Sequence, residues 1–191
     1  MNGSGSAIST AVCIVGGGPC GMMLGVLLAR AGIDVTVLEK YPDFFRDFRG
    51  DTVHPSTLEL LYELGWLDDF LAIAHNEIRS IGANIGGQTI QVAETTHLPT
   101  HCKFVALMPQ WDFLNFLAEK GRRYPTFHLM MQTEGVGLIE RDDRVAGVRA
   151  KTTNGEIEIA AKLVVGADGR HSAVRELGGF KVEDLGAPMD V

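Results

Sequence analysis

Residues 11–40, AVCIVGGGPCGMMLGVLLARAGIDVTVLEK, constrain this chain more than any other stretch. A short apolar run at 11–15, of the kind shown by a strand buried on both faces, passes at once into Gly16-Gly17-Gly18-Pro19-Cys20-Gly21. The hexapeptide satisfies GxGxxG, and each glycine has its own task. Gly16 permits a sharp turn, Gly18 lets backbone approach a pyrophosphate, and Gly21 lets the next helix sit close to the sheet. Residues 22–31 are helix-forming, so free N–H groups and the positive end of a helix dipole point back at the glycine turn, where an anion can be held. A second strand, 34–38, then delivers Glu39 to its carboxyl end, eighteen residues past Gly21. There a carboxylate accepts hydrogen bonds from an adenosine ribose. GxGxxG alone is also met as an ordinary glycine-rich turn. The strand before it, the helix after it and the acid at this distance turn it into a dinucleotide signature. Glu39 argues against a 2'-phosphorylated nucleotide, because two anions repel at close range, and leaves FAD or NAD.

The 191 residues suffice for a single core, and the charged and apolar fractions are those of an ordinary soluble globular protein. A formal charge of −7, with scattered basic residues, gives no footprint for nucleic acid and points to small-molecule chemistry. Cys13, Cys20 and Cys102 are too few, and odd in number, for a disulfide framework, which fits a reducing compartment and makes the cytoplasm the expected location. The opening MNGSGSAIST lacks the basic and apolar regions of a secretory signal, and no apolar run reaches bilayer length. Residues 1–10 read as a flexible leader.

Beyond Glu39, residues 41–54 show no period and read as an irregular segment over the cofactor side. Its Arg46 and Arg49 suit either a phosphate or flavin contact or a solvated surface. Pro55 and Ser56 open a helix with Leu58, Leu61 and Leu64 on its core face, closing at Gly65, and a short helix follows at 67–74. Residues 78–92 alternate around Gly86-Gly87 as a β-hairpin, and 103–108 suggest another strand. Pro109 and Gln110 start a helix through Lys120, with Trp111, Leu114 and Leu117 facing inward. Residues 127–131, 135–140 and 145–151 read as strands, and Asn154-Gly155 as a tight turn before a strand at 157–159, which together suggest an antiparallel meander. His97, His101 and Cys102 do not make a metal site, because Pro99 breaks the helix that their spacing would need and no second ligand pair stands nearby.

The second informative stretch is Leu163-Val164-Val165-Gly166-Ala167-Asp168-Gly169, a buried strand ending in an acid and a glycine, with a helix starting near Ser172. An acid at the tip of a parallel strand lies on the edge where open α/β sheets bind ligands. It equally suits a helix-capping aspartate, and Ser172 could also cap.

Taken in order, GGGPCG with Glu39, RDFRGDTVHPSTLELL, MPQWDFLNFLAE and VVGADGRHSAVRE resemble the N-terminal half of the single-component FAD-dependent aromatic monooxygenases of the p-hydroxybenzoate hydroxylase type. The likeness runs nearly the whole length. It implies an α/β fold, a Rossmann-like FAD-binding domain of the glutathione-reductase/p-hydroxybenzoate-hydroxylase type with an antiparallel β-meander. The FAD-binding segments would be 11–75 and 109–191, interrupted at 76–108 by the start of a β-rich substrate-facing layer. The resemblance also implies that Gly16, Gly18, Pro19, Cys20 and Gly21 line the FAD pyrophosphate and that Glu39 takes the adenosine ribose. Arg49 and Gly50 would lie beside the flavin, Gln110 would reach the ribityl chain, and Asp168 would serve the pyrophosphate and the reductant together. Lys40 and His171 fall at positions used toward NAD(P)H. Gly135 falls where the family usually has a valine touching adenine through its backbone.

The activity so implied is hydroxylation of a small phenol-like aromatic with NAD(P)H and O2 through a flavin C4a-hydroperoxide, the cofactor carrying the chemistry and the protein excluding water. No catalytic side chain is needed. The rivals are epoxidation, halogenation or reduction on the same scaffold, or a non-catalytic FAD or nucleotide-binding module. A second half of similar length, with another Gly-Asp motif and most of the substrate pocket, would be expected outside these residues, so the chain reads as a fragment, the alternative being a natural short form with damaged flavin binding.

Overall fold

The computed structural model describes residues 8–45, 51–183 and 186. In chain order these form β1 (Ile8–Val15), α1 (Pro19–Arg30), β2 (Val35–Leu38), β3 (Thr52–Val53), α2 (Pro55–Glu63) and α3 (Leu67–Leu71). There follow β4 (Asn76–Ile78), β5 (Ser80–Ile85), β6 (Gln88–Glu94), β7 (Val105–Leu107), α4 (Gln110–Gly121), β8 (Phe127–Met130), β9 (Glu134–Arg141), β10 (Arg144–Thr152), β11 (Gly155–Gly166) and α5 (Ala173–Leu177). Residues 1–43 with 117–191 make one compact unit, and 44–116 make another.

The first unit is built on a six-stranded sheet in the order β8-β2-β1-β11-β10-β9. Strands β8, β2, β1 and the end of β11 run parallel, while β9, β10 and the start of β11 form the antiparallel meander. Strand β11 is one unbroken strand of 12 residues where the sequence suggested separate pieces around 157–159 and 163–166. The cause is overlap. Ile159 and Ala160 each pair with β10 on one side and β1 on the other, so the ladder never breaks between the two halves. Residues 8–10, expected to belong to the leader, lie in β1, where Ile8, Ser9 and Thr10 pair with Ile159, Ala160 and Ala161.

All four residues of β2 are buried, as are Val12 to Val15 of β1, the pattern of parallel strands covered on both faces. One face packs on Met22, Val26 and Ala29 of α1. The other holds a core of Cys13, Val15 and Leu38 against Val148, Ala150, Ile159 and Ala161. Fully buried Ile14, Val35 and Val37 each contribute about 1.5–3 kcal/mol. The close approach of α1 depends on Gly25 as well as Gly21, since a Cβ at Gly25 would lie 2.6 Å from Val37 Cγ2 and 3.1 Å from Phe127 Cε2. Gly25→Ala is therefore expected to lower stability by about 1–3 kcal/mol in urea denaturation, although alanine is the better helix former. An unchanged midpoint would show that the contact is slack.

In the second unit β3, β7 and β4 form a small antiparallel sheet and β5-β6 a separate hairpin. The hairpin turns at Gly86-Gly87, both with positive φ, as the sequence implied. Strands β3 and β4 were not legible because two or three residues carry no period. Leu58 and Leu61 of α2 are fully buried, and Phe70 of α3 meets Phe113 and Phe116 of α4 at 5.8 and 5.2 Å between centroids. Trp111, expected on the inner face of α4, is only half-buried and lies beside Phe45, because Phe113, Leu114 and Phe116 take the interior positions. Among the described residues no helix is long and apolar enough to cross a membrane.

Candidate functional site

At the carboxyl edge of the parallel strands, three sequence-distant pieces of the first unit meet. The chain leaves β1 through Gly16 at φ +110°, a conformation that side chains rarely adopt. A Cβ there would lie 2.3 Å from the carbonyl oxygen of Ala167 and 2.7 Å from the Asp168 nitrogen. Gly16 thus does more than turn the chain: it lets the Ala167-Asp168 turn after β11 cross directly over it. The Ala167 N–H donates to Val15 O at 2.7 Å and fixes that crossing. Gly21 closes the arrangement from the other side, since a Cβ on it would come 2.0 Å from Gly16 O.

Gly18 differs. A Cβ built on it meets nothing within 4 Å, so open space lies over the start of α1. No side chain caps this helix, and Pro19 sits in its first turn, where a missing N–H costs nothing. Among the described residues the N–H groups of Gly18, Cys20 and Gly21 find no acceptor. Uncovered donors at a helix start, with the dipole behind them, are the arrangement that receives a phosphate.

Glu39 follows directly on β2 and is buried, at 8 % exposure. Its Oε2 accepts the N–H of Gly17 at 3.1 Å and its Oε1 the N–H of Tyr41 at 3.0 Å. The backbone is held as firmly: its N–H donates to Met130 O and its C=O accepts from Thr133 N–H, both at 2.9 Å. The carboxylate is therefore clasped against the glycine turn. Gly17 and Thr133 were missed from sequence. Gly17 is a variable position of the motif, and Thr133 lies in a loop with no periodic signal.

Asp168 meets α5. Its Oδ1 accepts the Ser172 hydroxyl and its Oδ2 the Val174 N–H at 3.2 Å, while Ser172 Oγ accepts the Arg175 N–H at 3.0 Å. The acid thus supports the helix start together with Ser172, the capping alternative open from sequence, on the same edge as the glycine turn. Ser172→Ala is expected to cost about 1 kcal/mol in thermal unfolding through the lost cap. No change would mean that Asp168 caps α5 unaided.

Gly135, in β9, packs at the rear of this edge, where a Cβ would come 2.7 Å from Val15 Cγ1. The glycine leaves room for Val15, which a valine at 135 would displace. Lys40 and His171 are exposed, with Lys40 Nζ 5.1 Å from the Tyr41 ring centroid. Gln110 begins α4 in the other unit. Arg46, Arg49 and Gly50 lie outside the described residues.

The remaining candidates show ordinary chemistry. Burial pushes the Cys13 thiol up to about 12. Burial, and then nearby Glu77 and Glu59, raise that of Cys102, while Cys20 at the open helix start is exposed. His101 Nδ1 lies 2.8 Å from Glu59 Oε1, and its backbone N–H donates to Oε2 at 2.8 Å, which lowers the Glu59 pKa. Among the described residues no group of three or more metal-ligating side chains comes together.

Comparison with known proteins agrees with this geometry. The family described as FAD binding domain matches residues 9–190. The chain is 34 % identical to 6-methylpretetramide 4-monooxygenase of Streptomyces rimosus, over 92 % of this chain and 42 % of that protein. It is 33 % identical to rifampicin monooxygenase of Rhodococcus hoagii, over 87 % of this chain and 33 % of that protein. The structure of p-nitrophenol 4-monooxygenase from Pseudomonas putida DLL-E4 superposes with a TM-score of 0.80 at 26 % identity, covering 90 % of this chain and 44 % of that one. The chain thus spans less than half the length of these relatives. With a glycine turn, an open helix start and a buried acid on one sheet edge, and a family match over nearly its whole length, the chain belongs to the FAD binding domain family.

Proposed function

We propose that this chain is the FAD-holding part of a flavin-dependent monooxygenase acting on a small aromatic substrate with NAD(P)H and O2. The reading rests on the uncapped start of α1 above Gly18, with the Glu39 carboxylate set against the adjoining turn. It is supported by relatives that are themselves named monooxygenases. When bound, FAD would supply the redox chemistry, carrying two electrons from the nicotinamide to O2 so that one oxygen atom enters the aromatic ring and the other leaves as water.

The residues of this chain bind and orient. The N–H groups of Gly18, Cys20 and Gly21 would donate to the pyrophosphate and Glu39 would accept from the ribose hydroxyls. Asp168, with α5 fixed behind it, would face the same edge. Arg49, Gly50 and Gln110 would be carried toward the flavin, Lys40 and His171 toward the nicotinamide, and the backbone at Gly135 toward adenine. Residues 76–108 would begin a substrate-facing layer.

The thiols supply the test. Cys20 is exposed, and Cys13 and Cys102 are buried with raised pKa. Iodoacetamide at pH 8 is expected to label Cys20 at least about tenfold faster than the other two, because thiolate fraction and access set the rate. Saturating FAD should then protect Cys20. Labelling that proceeds equally fast with FAD bound, mapped by peptide mass spectrometry, would place the cofactor elsewhere.

A further inference from the structure

A groove of about 660 Å3 opens beside edge strand β8, and neither the glycine turn nor Asp168 lines it. That volume is in the range of small-molecule sites. Its walls include Ile8, Thr36, Arg122, His128, Met130 and Met131, all in the first unit.

These residues are unequal in kind, and the difference selects a ligand. Ile8, Met130 and Met131 give an apolar wall, and methionine side chains reshape around varied hydrocarbon bodies. Two of the basic side chains at this end of the sheet already have partners: His128 Nε2 lies 3.0 Å from Asp34 Oδ1, and Arg123 lies 3.4 Å from Glu119 Oε1. Arg122 is not, since among the described residues it makes no ion pair. An arginine at an apolar groove is matched to a carboxylate, which it can engage by two parallel hydrogen bonds.

We propose that this groove is a second small-molecule site, taking a monocarboxylate with a short hydrocarbon body. Its carboxylate lies on Arg122 and its hydrocarbon on Ile8, Met130 and Met131. The site borders the cofactor edge, for the Met130 carbonyl behind it accepts the Glu39 N–H at 2.9 Å.

The test needs no FAD and so stands apart from the reading of the nucleotide edge. Octanoate is titrated into the full chain while the ring protons of its 6 histidines are followed by NMR. A saturable shift is expected at His128. Arg122→Gln should weaken octanoate binding about tenfold or more, through loss of a charge-assisted pair, with Arg122→Lys between. Octan-1-ol and inorganic phosphate should each bind about tenfold more weakly than octanoate, since each lacks one half of the required chemistry. Absence of a saturable His128 shift, equal binding of octan-1-ol or of phosphate, or an Arg122→Gln variant that binds octanoate unchanged would each overturn the assignment.

Discussion

Gly16→Val is expected to unfold the first unit or bring it close to unfolding. The valine would adopt φ +110° and drive its side chain into the backbone of Ala167 and Asp168, neither of which is the yielding end of a side chain. Backbone strain of about 1–3 kcal/mol and overpacking of about 1–3 kcal/mol add to a loss of about 2–6 kcal/mol, whose upper part reaches the stability of the less stable whole domains. Gly18→Val, two residues on, is the control. Its Cβ enters open space, so the unfolding free energy from urea denaturation should fall by no more than about 1 kcal/mol. Its FAD dissociation constant, read from quenching of flavin fluorescence, should nevertheless rise by about tenfold to a hundredfold, the equivalent of 1–3 kcal/mol of obstruction. If Gly16→Val kept its stability, the crossing of the two turns would not be as tight as described. If Gly18→Val bound FAD normally, the open space would not be the cofactor's.

The second large effect concerns Glu39. Glu39→Ala removes the acceptor of the buried Gly17 N–H, and an unsatisfied buried donor costs about 1–3 kcal/mol. The Tyr41 N–H loses its acceptor as well, though at a more solvated position. Stability and FAD affinity should therefore fall together, affinity by about tenfold to a hundredfold if one charged hydrogen bond to the ribose is lost. Glu39→Gln separates the roles. Its amide oxygen can still accept from the buried Gly17 N–H, so only the more solvated Tyr41 contact is lost and stability is largely kept, while the loss of charge weakens the ribose contact. A Glu39→Ala chain that is destabilised yet binds FAD as before would assign the acid to holding the turn and nothing more.

Much of this edge was legible because its signals are local. GGGPCG, the helix after it and Glu39 lie within one βαβ unit, where spacing along the chain largely sets spacing in the fold. The contacts that were not legible join residues far apart. Nothing in the sequence says that Gly16 lies under Ala167, that Thr133 holds the Glu39 carbonyl, or that Gly25 rather than Gly21 alone sets how closely α1 sits on β2 and β8. Asp168 shows the same limit, since an acid before a helix suits both ligand binding and capping, and only coordinates reveal that Ser172 and Val174 share its carboxylate. The unbroken β11 was hidden because a small Ala160-Ala161 pair reads as a weak point, while two partner strands hold it in place.

That shared strand restricts where the chain can change length. One extra residue between Gly155 and Ala161 would slide β11 against two neighbours at once and turn its side chains inside out on both, carrying the Ala167-Asp168 turn off Gly16. The tip at Asn154 offers a route around this, because residues added there lengthen the exposed turn and leave both ladders in step. Insertions accepted at 153–154 and rejected at 156–160 would thus trace, in a library of variants, a beam that ties the meander to the cofactor edge.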